Sequence, residues 1–350
     1  MLFTRVTLVH ILSFASLSTQ SSLSRTVFQF PNPTWVENIA STRNGLLLVS
    51  ILGKPELHAI DPFATMNSST TDTLLYTFPG VNTVTGITEY EPDIFVVGTA
   101  NYSLTAGATP GSSIAWKVDL SGGKRRFIKI TDLPRTQYIN GLAALSERIV
   151  LLADCNAGNI VRLDVESGEY DIVIEGPAVA SNPSTSLPGG VNGMKIVDST
   201  LYFTNTQLGT VNRVDLDKRT GRVVGPFVTL ANISVVDDLA VTDDGTAFVA
   251  RPFANVVERV MAGRHVPIAG GQDSLEVAGA TSATLGRTWR DRGLLYVGTM
   301  GGVPNGGADG LGDFLEGGKV VALSLDGAGE EVMGGTYMDL TSGLGEPFLS

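Results

Sequence analysis

Four polar residues spread along the chain each stand at the head of an apolar run: Glu37 in W-V-E-N-I-A-S, Asn140 in Y-I-N-G-L-A-A-L, Asn192 in V-N-G-M-K-I and Asp237 in V-D-D-L-A-V. Two carboxylates and two amide oxygens make an all-oxygen donor set, suited to a hard cation such as Ca²⁺ or Mg²⁺ and poor for zinc. The competing reading is a hydrogen-bonded polar plug. Two acidic groups brought together repel each other unless a cation or a proton intervenes. Either reading requires that the four meet in space.

Residue types argue against most other chemistries. Cys155 is the only cysteine, so no internal disulfide forms. It stands beside Asp154, but with histidine so scarce it reads as a buried apolar thiol rather than a nucleophile. The chain contains no G-x-S-x-G elbow, Cys/His pair, P-loop or Rossmann fingerprint. Nucleophilic and nucleotide chemistry are therefore not expected, and neither is an organic cofactor.

The elements that would position the four residues recur along the chain. W-V-E-N-I-A-S-T-R-N-G-L-L-L-V-S from Trp35, V-T-G-I-T-E-Y-E-P-D-I-F-V-V-G from Val84 and I-N-G-L-A-A-L-S-E-R-I-V-L-L-A-D from Ile139 align with later segments from Val191, Val236 and Ala280. Each reads as a strand, a tight polar turn and a second strand, followed by a third such as I-A-W-K-V-D-L or V-N-R-V-D-L. A repeat of this kind predicts an all-β, six-bladed β-propeller with four antiparallel strands per blade. The first strand of each blade lines the axis, which brings the four polar residues to one mouth. Asn-Gly in I-N-G-L and V-N-G-M then marks a strand entrance, with Gly allowing close approach at the crowded axis. Long connections, including T-A-N-Y-S-L-T-A-G-A-T-P-G-S-S and the Gly-rich segment 298–318, fall on the same face. Function is expected there, with the Gly-rich segment as a lid.

Composition narrows the partners. With 24 Lys and Arg against 35 Asp and Glu, the net charge of −11 argues against nucleic acid and anionic membranes. Residues 1–24, with Arg5 ahead of V-T-L-V-H-I-L-S-F-A-S-L, read as a secretory signal peptide, leaving 25–350 as a single propeller without a membrane anchor. In a secretory lumen the sequons at Asn67, Asn101 and Asn232 become acceptors for N-glycans.

The segments V-N-G-M…L-Y-F-T-N-T…V-N-R-V-D-L-D and V-D-D-L-A-V-T-D-D-G-T-A-F-V-A resemble the SMP-30/gluconolactonase family, six-bladed propellers holding one divalent cation at the axis. That resemblance implies metal ligation by Asn192, Asp237 and Glu37, with Asn140 as a ligand or substrate contact, and a lactonase or esterase using metal-activated water. Asp238 departs from the family pattern, which usually has Gly there. A closer likeness, carried by V-F-Q-F-P-N-P-T-W-V-E-N-I-A-S and N-G-L-L-L-V-S, is to fungal hetero-Diels-Alderases of tropolone-sesquiterpene meroterpenoid pathways. It implies coupling of a tropolone o-quinone methide to a humulene-type alkene, and hence small apolar substrates.

A cycloaddition needs neither nucleophile nor cofactor. It needs two reactants held in a near-attack pose and shielded from water, between apolar walls with a few hydrogen-bond donors. Tyr102, Tyr138, Phe253, Met300 and Phe314 are candidates for the walls, and Arg251 or Asn38 for polarising a tropolone oxygen. A non-catalytic ligand-binding propeller is the third possibility.

Overall fold

A computed structural model of the chain describes residues 24–64, 71–182, 189–261, 263–304 and 311–325. It contains six four-stranded antiparallel sheets, arranged as the blades of a β-propeller. Their innermost strands are Trp35–Ser41, Thr83–Glu91, Ile139–Ala144, Val191–Val197, Leu239–Val241 and Ala280–Leu285. Each touches the next, and the last returns to the first, closing the ring around the axis. A short 3₁₀ turn, Pro252–Ala254, follows the inner part of the fifth blade.

Closure of the ring uses a strand that the repeat pattern does not reveal. Ser24–Gln29 supplies the outermost strand of the sixth blade, pairing antiparallel with Lys319–Ser324 so that Ser24 opposes Leu323 and Phe28 opposes Val320. The first strand thus satisfies an edge that would otherwise be open. The signal peptide expected over 1–24 lies outside the described residues apart from Ser24, which opens this strand. Of the expected glycan sites, Asn67 lies outside the described residues, Asn232 is exposed and Asn101 is half-buried. No helix among the described residues is long and apolar enough to cross a membrane.

Apolar side chains of adjacent sheets interdigitate between the blades. Leu151 and Ala153 of the third blade pack with Val191, Met194, Leu201 and Phe203 of the fourth in one buried cluster. This explains why the central strands read as almost continuous apolar runs: both of their faces are covered.

At the mouth end the innermost strands are irregular. Register shifts fall at Val36/Asn38, Val84/Ile87, Ile139/Leu142, Val191/Met194 and Ala280/Ser282. Such bulges bend a strand and redirect its side chains. The glycines beside them are required by contact. A Cβ on Gly141 would sit 2.1 Å from the carbonyl oxygen of Asn192, and one on Gly193 would sit 2.2 Å from the Asp238 carboxylate. The Asn-Gly pair thus aims an amide into the mouth while its glycine admits the neighbouring blade.

Candidate active site

The four polar residues do converge. The side-chain amide of Asn140 donates to Glu37 Oε1 at 3.0 Å, and that of Asn192 donates to Asp237 Oδ1 and to Thr206 Oγ1, both at 2.9 Å. The ring is therefore two amide–carboxylate pairs from four different blades. Asn192 Oδ1 is buried and has no partner among the described residues.

Little in this ring offsets the negative charge. Burial is the main cause that raises Glu37 from an ordinary 4.5 to about 7; the Asn140 bond and the nearby Trp35 indole pull it down, and Asp238 adds to the rise. Although the indole N–H lies close enough to influence Glu37, it has no hydrogen bond of good geometry. Asp237 is pushed well above the carboxylate range by burial, then by Glu37 and Asp238. Among the described residues no cluster of three or more His, Cys, Asp or Glu could hold a metal. A cation here would depend on the amide oxygens as well. The unpartnered Asn192 Oδ1 and the two uncompensated carboxyls fit that requirement.

Above the ring opens a mouth of about 650 Å³ of free space, part of it open to solvent, walled by Trp35, Leu52, Tyr102, Tyr138, Val235, Pro252, Phe253 and Leu311. Tyr102 and Tyr138 pack with ring centroids 5.4 Å apart. A second compartment, about 630 Å³ of free space that is likewise partly open to solvent, adjoins the first and shares Trp35, Leu52 and Tyr102 as a common wall. Its far side is formed by Pro33, Leu104 and Phe314, with Lys54 at the rim. Phe314 meets Trp35 edge-on at 5.9 Å. The site is thus two largely apolar compartments meeting at one partition, with the carboxyl and amide groups in the axial one and Thr34 and Lys54 in the outer one.

The candidates from the sequence divide into two groups. Tyr138 and Phe253 line the axial compartment and Phe314 the outer one, while Tyr102 touches both. Arg251, Asn38 and Met300 lie outside both linings. The Arg251 guanidinium is held by the buried Glu258 carboxylate and by the Ser234 carbonyl at 3.2 Å. Glu258, which needs a countercharge wherever it is buried, stands on the adjacent strand. Asn38 Nδ2 donates to Asp238 Oδ2 at 2.7 Å in a tier beneath the mouth. Met300 is fully buried and fills the space left by Gly279, where a Cβ would fall 2.5 Å from Met300 Cγ. The segment expected as a lid lies partly outside the described residues; its Leu311 and Phe314 reach the two compartments.

Sequence reasoning missed Trp35, Leu52, Cys155, Thr206 and Val235. A signal existed for one of them. Side chains two apart on a strand share a face, and Trp35 stands two residues before Glu37 on Trp35–Ser41. Val235, with a φ of 47°, and Asp237 precede the strand Leu239–Val241, so alternation does not reach them.

No family model matches the chain. A protein of Sarocladium schorii bearing the name hetero-Diels-Alderase is 29% identical over 315 residues, covering 78% of this chain and 77% of that one. Another of that name, from a Phoma species, is 28% identical over 302 residues, covering 78% and 86%. Among solved structures, a luciferin-regenerating enzyme superposes with a TM-score of 0.61 at 14% identity, covering 88% of this chain and 96% of that one. The calcium-binding protein regucalcin of Agrobacterium tumefaciens str. C58 gives 0.59 at 15%, covering 87% and 94%. Both likenesses read from the sequence are therefore met: relatives named hetero-Diels-Alderase, and propellers of the regucalcin type. The structural likeness speaks for the fold alone.

Proposed function

We propose that this chain is a hetero-Diels-Alderase that joins a tropolone o-quinone methide to a humulene-type alkene. The observation that carries the reading is the pair of compartments meeting at the Trp35–Leu52–Tyr102 partition, the axial one bearing the carboxyl and amide groups of the ring. A bimolecular cycloaddition requires a place for each reactant and a junction where they touch. The relatives that bear the hetero-Diels-Alderase name support the same reading.

The reaction asks little of the protein beyond position. The heterodiene contributes four π electrons and the alkene two. One C–C and one C–O bond form, a dihydropyran closes, and nothing leaves and nothing is oxidised. Holding both partners in a near-attack pose removes much of the entropic barrier of a bimolecular step. The apolar walls keep water from the electrophilic methide carbon. Cys155, in the wall of the axial compartment, has its thiol pushed well up by burial and by Asp154, Glu37 and Asp237. It stays protonated and does not capture the methide.

Ca²⁺ or Mg²⁺ at the mouth would be held by Glu37, Asp237 and the Asn192 amide oxygen, with Asn140, which donates to Glu37, as a further ligand or substrate contact. Its chemistry would be to neutralise the two carboxyls and fix the floor of the axial compartment. The unpartnered Asn192 Oδ1 also favours a second reading, a divalent-metal-dependent lactonase or esterase.

Product analysis by chiral LC-MS separates the two, using purified protein, a quinone-methide precursor and a humulene-type alcohol with and without EDTA. A protein-dependent single-isomer adduct that survives EDTA is the expected result. Absence of adduct above background, with hydrolysis of a lactone panel that requires Ca²⁺, would establish the second reading instead.

A further inference from the structure

Tyr138 combines three features seldom found together. Its ring is buried, 3% exposed, and lines the axial compartment. Its hydroxyl is buried and makes no hydrogen bond among the described residues. Its backbone is fixed from both sides: Asp154 Oδ1 accepts from the Tyr138 N–H at 2.9 Å, Asp154 Oδ2 accepts from the Gln137 N–H at 2.8 Å, and the Tyr138 carbonyl accepts from the Cys155 N–H at 3.0 Å. The ring packs against Tyr102 in a cluster with Ala100 and Cys155. A phenol whose only need is apolar packing would be a phenylalanine, because a buried hydroxyl without a partner is destabilising. Such a group, held rigidly at a cavity wall, is set up for a partner that arrives with the ligand.

We infer that the Tyr138 hydroxyl donates a hydrogen bond to the carbonyl oxygen of the heterodiene, orienting it in the axial compartment and polarising it toward the alkene. This role rests on the cycloaddition reading above and makes Tyr138 a catalytic residue of that reaction. The carbonyl oxygen gains electron density as the C–C bond forms ahead of the C–O bond, so a donor at this atom binds the transition state more tightly than the ground state. The proton stays on Tyr138 throughout, since the oxygen ends as an ether. The donors expected from the sequence, Arg251 and Asn38, are occupied by Glu258 and Asp238. The other unpartnered donor in this wall, the Trp35 N–H, lies toward Glu37.

The test is Tyr138→Phe, which removes one oxygen and keeps the ring. Three readouts are taken on the full chain: kcat with each substrate saturating, calorimetric affinity for tropolone as a stable probe of the oxygen-bearing partner, and melting temperature. Expected are a fall in kcat of roughly tenfold or more, several-fold weaker tropolone binding, an unchanged KM for the alkene, and a melting temperature equal to or above the wild type. A purely structural hydroxyl satisfied by water would give the opposite pattern: a lower melting temperature with wild-type kcat and tropolone affinity, which overturns the role. If the wild-type protein itself gives no adduct above background, the cycloaddition reading fails and this role with it. If the wild type turns over and Tyr138→Phe equals it in rate and affinity, only the role fails.

Discussion

Asn38 and Asp238 are joined beneath the mouth by a 2.7 Å hydrogen bond across 200 residues of sequence, one position beyond Glu37 and Asp237 in the ring above. Asp238 is buried and also accepts from the Leu239 N–H at 2.7 Å, with the Lys195 ammonium 3.4 Å away. The axis thus carries two polar tiers, an upper one facing the cavity and a lower one that ties the first, fourth and fifth blades together. Asp238→Ala would leave the Asn38 amide without its partner and Lys195 without its countercharge. The expected loss is roughly 2–4 kcal/mol, the lower end applying because Lys195 is partly solvated. Urea denaturation measures it, and adduct formation per folded molecule should stay near wild type. A variant of wild-type stability would show that the lower tier has no structural role.

The upper tier makes stability depend on pH. Glu37 is raised from 4.5 to about 7, chiefly by burial. Its folded-state pKa exceeds that of the unfolded chain, so the folded state holds the proton more tightly. The contribution is therefore fully present below about 4.5 and is lost as the pH rises through about 7, up to about 3 kcal/mol over that window. Melting temperature should fall from pH 5 to pH 8, and Glu37→Gln should make that fall shallower, the remainder coming from Asp237, whose carboxyl is also raised. Added Ca²⁺ should raise the melting temperature at pH 8 and do little at pH 5, where protons compete for the same oxygens. A profile of Glu37→Gln parallel to the wild type would remove Glu37 as the source.

Much of this arrangement can be read from the chain because it follows from periodicity. All six innermost strands fall in the segments that the repeat aligns, and Asn-Gly at 140–141 and 192–193 marks where neighbouring backbones touch. What resists such reading is set by partners distant in sequence. Arg251 looks like a free cation until Glu258 is seen on the next strand. Met300 looks like a mouth residue until the space at Gly279 is known. Ser24–Gln29 has no repeat of its own kind beside it, because it completes a blade begun more than 250 residues later. Trp35 was legible in principle, two residues before Glu37 on the same strand face.

Cys155 tests how well the axial wall is sealed. Its thiol is 2% exposed and raised well above the ordinary thiol value, so the thiolate is scarce at pH 8. Iodoacetamide should leave the native protein unmodified and alkylate it fully in urea, as intact mass shows. During turnover the adduct mass should likewise stay absent from Cys155, although a quinone methide captures free thiols in solution. Stoichiometric labelling of the native protein would mean that the wall opens and that the thiol, rather than being shielded, competes with the alkene.

Trp35 carries the strongest claim about selectivity, since it walls both compartments and is braced edge-on by Phe314. If the alkene approaches the heterodiene from the outer compartment, the face it presents is fixed by this partition. Trp35→Ala would merge the two spaces and let either face of the alkene meet the diene. The isomer ratio should then relax toward that of the uncatalysed reaction, with kcat/KM falling roughly 10- to 100-fold as orientation is lost. Trp35→Phe keeps an aromatic wall and removes only the indole N–H, so it should retain the wild-type isomer while Glu37 loses one of the groups that lower its pKa. Chiral LC-MS of both variants separates wall from donor. A wild-type isomer ratio from Trp35→Ala would mean that the reactants are oriented elsewhere in the mouth, whereas relaxed selectivity in both variants would move the decisive contact from the ring to its nitrogen.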